Sequence, residues 1–182
     1  QNAIIADNTI SNNENRINIY NSTASFTNNT IENNKSGAFY INSHNGQRPT
    51  LENNMINNNN GSGIHMEGQG ADIKGNTITK NNGAGIYYQA HDQYGSVFAL
   101  ITGNKISDNT GWGIELQGPS NPTINNNSLY DNYQGELANY TTREIDARNN
   151  YWGNYTTNKM DQGGNPKNLN AIFDYYDNNQ YG

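Results

Sequence analysis

The chain has 182 residues, a formal net charge of −6, a mean hydropathy of −0.99 and no cysteine. The acidic balance and the scatter of Lys and Arg count against nucleic acid and anionic membranes as partners. The longest apolar run, Val97 to Ile101, is far too short for membrane insertion, and a disulfide framework is excluded.

There are 39 asparagines, which with so low a hydropathy would by composition suggest disorder. Their spacing says otherwise. A pattern opens with Ile5, Asn8, Ile10 and Asn13. It returns as Phe26, Asn29, Ile31, Asn34, then as Leu51, Asn54, Ile56, Asn59, and again as Ile73, Asn76, Ile78, Asn81. Ile101, Asn104, Ile106, Asn109 and Ile124, Asn127, Leu129, Asn132 follow, before a last, partial copy at Ala147, Asn150 and Trp152. Successive leading asparagines lie 21, 25, 22, 28, 23 and 23 residues apart. Self-similarity at such a period marks a solenoid.

Within the middle turns a glycine follows (Gly37, Gly63, Gly85, Gly113, Gly135), and after it comes a short alternating strand such as Ile64-His65-Met66 or Ile86-Tyr87-Tyr88. No helical period is sustained before about residue 154. The pattern predicts an all-β fold, a single chain coiling as a right-handed parallel β-helix of about seven turns over residues 1–153. Residues 154–182 are expected to form a C-terminal cap or connector. Like residues then stack on like. Asn29, Asn54, Asn76, Asn104 and Asn127 are expected to form a structural ladder, since an amide is both donor and acceptor. The repeated glycine is expected to supply backbone freedom at the opposite corner.

The consensus N-x-I-x-x-N-x-x-x-G-I resembles the right-handed parallel β-helix superfamily, which includes pectate-lyase-like enzymes and NosD-like cell-surface repeat proteins. Asp146-Ala147-Arg148-Asn149-Asn150-Tyr151-Trp152-Gly153 is similar to a last-turn motif of such surface proteins, as is Ile172-Phe173-Asp174-Tyr175-Tyr176-Asp177 to the segment that follows it. The resemblance implies a secreted or cell-surface, structural or adhesive protein. That group shares no catalytic residues, so it implies none here.

Two turns carry insertions, residues 42–50 and 89–99, after the same strand, and insertions in a solenoid tend to mark the binding side. The strand between them is expected to point Tyr40, His65, Tyr87 and Glu115 outward in one column, with Glu67 and Gln89 one alternation further on and His91 and Asp92 beside them. Aromatic rings interleaved with amides and carboxylates suit a polysaccharide or glycan. A second reading makes His65, Glu67, His91 and Asp92 the acid/base groups of a polysaccharide lyase or hydrolase. The polygalacturonase-like and epimerase-like motifs are missing, and Arg48 is the lone basic residue in either insertion. No cofactor is expected, although Asp108 and Asp131 at equivalent corners would suit a surface Ca²⁺ ion. Open β-helix ends would also allow head-to-tail self-association into a filament or sheath. Seven sequons (Asn21, Asn28, Asn34, Asn60, Asn126, Asn139, Asn154) fit a glycoprotein, or simply an Asn/Ser/Thr-rich chain.

Overall fold

A computed structural model describes residues 3–91, 99–164 and 167–181. Each turn of the chain lays down three short strands. The first turn contributes β1 (Ile4–Ala6), β2 (Thr9–Ser11) and β3 (Ile17–Tyr20), and the second β4 (Ser25–Thr27), β5 (Thr30–Glu32) and β6 (Phe39–Ser43). Next come β7 (Thr50–Glu52), β8 (Met55–Asn57) and β9 (Ile64–Gly68), then β10 (Asp72–Lys74), β11 (Thr77–Thr79) and β12 (Ile86–Gln89). The last two full turns hold β13 (Leu100–Thr102), β14 (Lys105–Ser107), β15 (Trp112–Gln117), β16 (Thr123–Asn125), β17 (Ser128–Tyr130) and β18 (Gly135–Asn139).

The first strands of all turns make sheet A, the second strands sheet B and the third strands sheet C, every pairing parallel and in register. The molecule is therefore a right-handed β-solenoid with six complete turns. A seventh is only begun. Asn150 extends the ladder and Tyr151 bridges Ser128, after which the chain leaves the coil as helix α1 (Gly153–Asp161). It returns to add β19 (Ile172–Phe173) to sheet C beside β18. Ile145, Met160 and Ile172 pack against the end of the core.

The core is a set of stacked columns. Leu51, Ile73, Ile101 and Ile124 form one file, and Ile31, Ile56, Ile78, Ile106 and Leu129 another, all without exposed surface. From sheet C, Ile64, Ile86 and Ile114, with Met66, Tyr88 and Leu116, fill the remaining side. Such repetition lets a thin core serve every turn with few apolar residues per turn.

Asparagine fixes the corners. In the first ladder the backbone N–H and side-chain amide of Asn54 both donate to the Asn76 Oδ1, each at 2.9 Å, and the amide also reaches the Phe26 carbonyl at 2.9 Å. The relation repeats from Asn8 to Asn150. A second ladder does the same from Asn13 through Asn34, Asn59, Asn81 and Asn109 to Asn132. Each buried amide thus finds a partner for every polar atom, which is the condition for burying it at all.

The residue before each ladder asparagine takes a positive φ: Asp7, Asn28, Asn53, Gly75, Gly103, Asn126 and Asn149 before the first ladder, and Asn12, Asn33, Asn58, Lys80, Asp108 and Asp131 before the second. That is where conformational freedom is needed, and Asn, Asp and Gly tolerate it best. Of the five repeated glycines Gly135, at φ 139°, uses the expected backbone freedom, and the other four have a different reason. Gly63, Gly85 and Gly113 have ordinary φ, but a Cβ at Gly85 would lie 2.5 Å from Ile106 Cγ2 and 2.7 Å from the Gly113 carbonyl. Space excludes a side chain there.

Candidate functional site

Sheet C presents the outward columns that alternation along its strands requires. Asn18, Tyr40, His65, Tyr87 and Glu115 sit in register on successive rungs, and so do Tyr20, Asn42, Glu67, Gln89 and Gln117. Parallel rungs are about 4.8 Å apart, so the rings of one column touch. Tyr40 and His65 lie 5.1 Å apart between centroids and His65 and Tyr87 4.8 Å, each pair edge to face. Tyr20 continues the contact at 5.7 Å from Tyr40.

Glu67 is the polar centre of this strip. Its Oε2 accepts from the Tyr40 hydroxyl at 2.8 Å and the Asn42 amide at 3.2 Å. Its Oε1 lies 3.4 Å from His65 Nε2, and His91 Nε2 stands 4.0 Å from Oε2. Burial lowers the pKa of His65, opposed by the neighbouring Glu67 carboxylate, so the imidazole is neutral at neutral pH. Burial raises Tyr40 and Tyr87, the latter also through Glu115 and Glu67. Gln117 donates to Glu115 at 3.0 Å, and Tyr87 to Gln89 at 3.2 Å.

Thus the structure brings together Tyr40, His65, Glu67, Tyr87, Gln89, His91 and Glu115. Asp92 and most of the 89–99 insertion lie outside the described residues. The 42–50 insertion is pinned on both sides. The His44 N–H donates to Asn21, the Gly46 N–H donates to Gln69, and Arg48 pairs with Asp72.

Asp108 and Asp131 occupy positive-φ corners, with φ of 60° and 59°, and Asp108 accepts from Ser107 Oγ at 2.7 Å. Backbone conformation accounts for an Asp at these places. Among the described residues no group of three or more His, Asp or Glu side chains is placed to hold a metal ion. No helix among them is long and apolar enough to cross a membrane.

Three features of the face escaped the sequence pattern. The Arg16 guanidinium lies over the Tyr40 ring at 4.2 Å from its centroid. Phe173, brought beside Ala138 by β19, extends the outward column beyond Glu115. Around Phe173 gather Trp112, Tyr140 and Tyr181, at 6.4, 4.8 and 6.0 Å between centroids. The tyrosine-rich tail was the available signal, but its partner strand is not periodic.

A family profile described as "Right handed beta helix region" matches residues 1–71 and 62–174. The chain belongs to the right-handed β-helix family. Comparison with curated proteins found no match. Membership establishes the solenoid and leaves the chemistry of its faces to the side chains they carry.

Proposed function

We propose that this β-helix is a non-catalytic, structural or adhesive protein of a cell surface or secreted assembly, and that the outward face of sheet C contacts carbohydrate. One observation carries the reading: the continuous ring column Tyr40–His65–Tyr87 with Glu67, Gln89 and Gln117 alongside. Ring faces and edges suit the apolar faces of sugars, while amides and carboxylates hold hydroxyls. Rungs at a fixed spacing offer the same contact again and again along the rod. An extended polymer profits from that repetition more than a single sugar does.

Affinity electrophoresis through gels containing a panel of polysaccharides tests the reading. Retention by at least one chain is expected, lost on Tyr87→Ala and kept on Tyr133→Ala, a residue 87% exposed outside the two columns. Failure of every polysaccharide to retard the chain, or equal retention of both variants, defeats the proposal.

The neutral imidazole of His65 beside Glu67 favours a second reading, a polysaccharide-cleaving enzyme with His65 as general base. Reducing-end and unsaturated-product assays on the same panel separate the two. Product formation that disappears in His65→Ala would establish cleavage.

A further inference from the structure

We infer that the sheet C strip takes an uncharged polysaccharide chain and turns away uronate polymers. The inference rests on the carbohydrate-binding reading above and names the ligand class.

It starts from the charges the strip carries. The ten outward positions of the two columns from β3 to β15 include two carboxylates, Glu67 and Glu115, and neither Lys nor Arg. Arg16 contributes one guanidinium at the first-turn end, seated over the Tyr40 ring. Arg48, from the flanking insertion, is engaged by Asp72, which also accepts from Lys74 at 2.9 Å. His65 adds no charge at neutral pH, because burial holds its imidazole neutral. The middle of the strip is therefore acidic.

A uronate polymer carries a carboxylate on every sugar. Laid along rungs about 4.8 Å apart, it would set its charges against Glu67 and Glu115 with a single guanidinium to offset them. Like charges at such distances repel strongly in a partly desolvated site. A neutral chain meets the opposite situation. Carboxylates are acceptor-only groups that form strong, charge-assisted bonds with hydroxyl donors. Glu67 Oε2 is already held by Tyr40 and Asn42, which fixes the carboxylate and leaves Oε1 beside the His65 edge. Glu115 is oriented by Gln117 in the same way. Both are positioned acceptors on a face of rings and amides, a combination that reads hydroxyls.

The test compares neutral glucans, mannans and xylans with polygalacturonate and alginate, by affinity electrophoresis in EDTA so that no metal bridges carboxylates. Expected is retention by a neutral chain, with uronates bound at least ~10-fold more weakly. The double variant Glu67→Gln, Glu115→Gln is expected to raise uronate retention, with its thermal melt confirming that it folds. Uronate retention equal to or above that of every neutral chain overturns the inference and leaves carbohydrate binding standing. Uronate binding unchanged by the double substitution also counts against it. Retention by no chain of either kind removes the binding reading itself.

Discussion

The side-chain amide of Asn132 donates to the Glu136 carboxylate at 2.6 Å, and the second asparagine ladder ends on that bond. Every earlier rung passes its amide to an asparagine Oδ1 of the next turn. Glu136, only 7% exposed, stands in for the missing asparagine. Burial is the main reason its pKa rises from 4.5 to about 7, with nearby Asp131 adding to the rise and the Asn132 bonds opposing it. A carboxyl with a raised folded-state pKa favours folding below its unfolded value and loses that contribution as pH climbs through the folded one. Stability is therefore expected to fall between about pH 4.5 and pH 7, by about 3 kcal/mol from this group. Glu136→Gln keeps an acceptor for Asn132 and removes the titration. Thermal melts from pH 4 to 8 should show the variant gaining on the parent as pH rises. Parallel curves would show that Glu136 is not the titrating group.

Asn76 sits in mid-ladder, accepting from Asn54 and donating to Asn104 Oδ1 and to the Leu51 and Lys74 carbonyls. Replacing it by Ala strands the Asn54 N–H and one of the two N–H groups of its amide, the other keeping the Phe26 carbonyl, in a place water does not reach. Buried donors without partners cost about 1–3 kcal/mol each, so Asn76→Ala is expected to destabilise by about 3 kcal/mol or more. The exposed Asn58→Ala is a useful contrast. It leaves the ladder intact and removes the positive-φ tolerance at φ 53° together with the exposed hydrogen bond its amide donates to Asn57 Oδ1, for about 1–2 kcal/mol in all. Denaturant melts that rank the two equally would contradict the ladder's role.

Much of this was legible in the sequence, because stacking forces the chain to repeat itself. Asn54, Asn76 and Asn104 share a file since each must meet its own kind, and period-two alternation placed His65 and Tyr87 outward with Ile64 and Ile86 inward. What repetition does not encode stayed hidden. Phe173 reaches the strip through β19, a strand that follows a helix and has no counterpart in earlier turns. Arg16 is drawn to the strip by the Tyr40 ring, a contact that no motif announces. A glycine column also looks the same whether it supplies a positive φ or an empty space, and only the backbone distinguishes Gly85 from Gly103. For Asp108 and Asp131 the corner conformation supplied the reason that a charge pattern alone left open.

That distinction between glycines is measurable. Gly85→Ala would push a methyl to 2.5 Å from Ile106 Cγ2 and 3.0 Å from the Asn109 amide, so the core column and the second ladder must both give way. Overpacking of this kind costs about 1–3 kcal/mol, and the rigid surroundings place Gly85 at the upper end. Gly46→Ala meets nothing within 4 Å and suffers only from its φ of +74°, about 1 kcal/mol. Unfolding midpoints should therefore fall further for Gly85→Ala. The reverse order would mean that backbone conformation, not space, selects the repeated glycine.

Lys80 is the odd member of its corner column. Asn12, Asn33, Asn58, Asp108 and Asp131 share its conformation, and all are residues that tolerate a positive φ, whereas Lys80 holds φ 56° with a long side chain. The left-handed region disfavours such a residue by about 1–2 kcal/mol, a cost that Asn partly avoids. Lys80 is exposed, so a substitution there disturbs little packing. Lys80→Asn is expected to stabilise the chain by about 0.5–1 kcal/mol, a rise in midpoint of roughly 2 °C. Lys80→Val, β-branched and poorly suited to this region, is expected to lower it. A drop on Lys80→Asn would mean that the lysine side chain contributes more to the fold than its backbone conformation takes away.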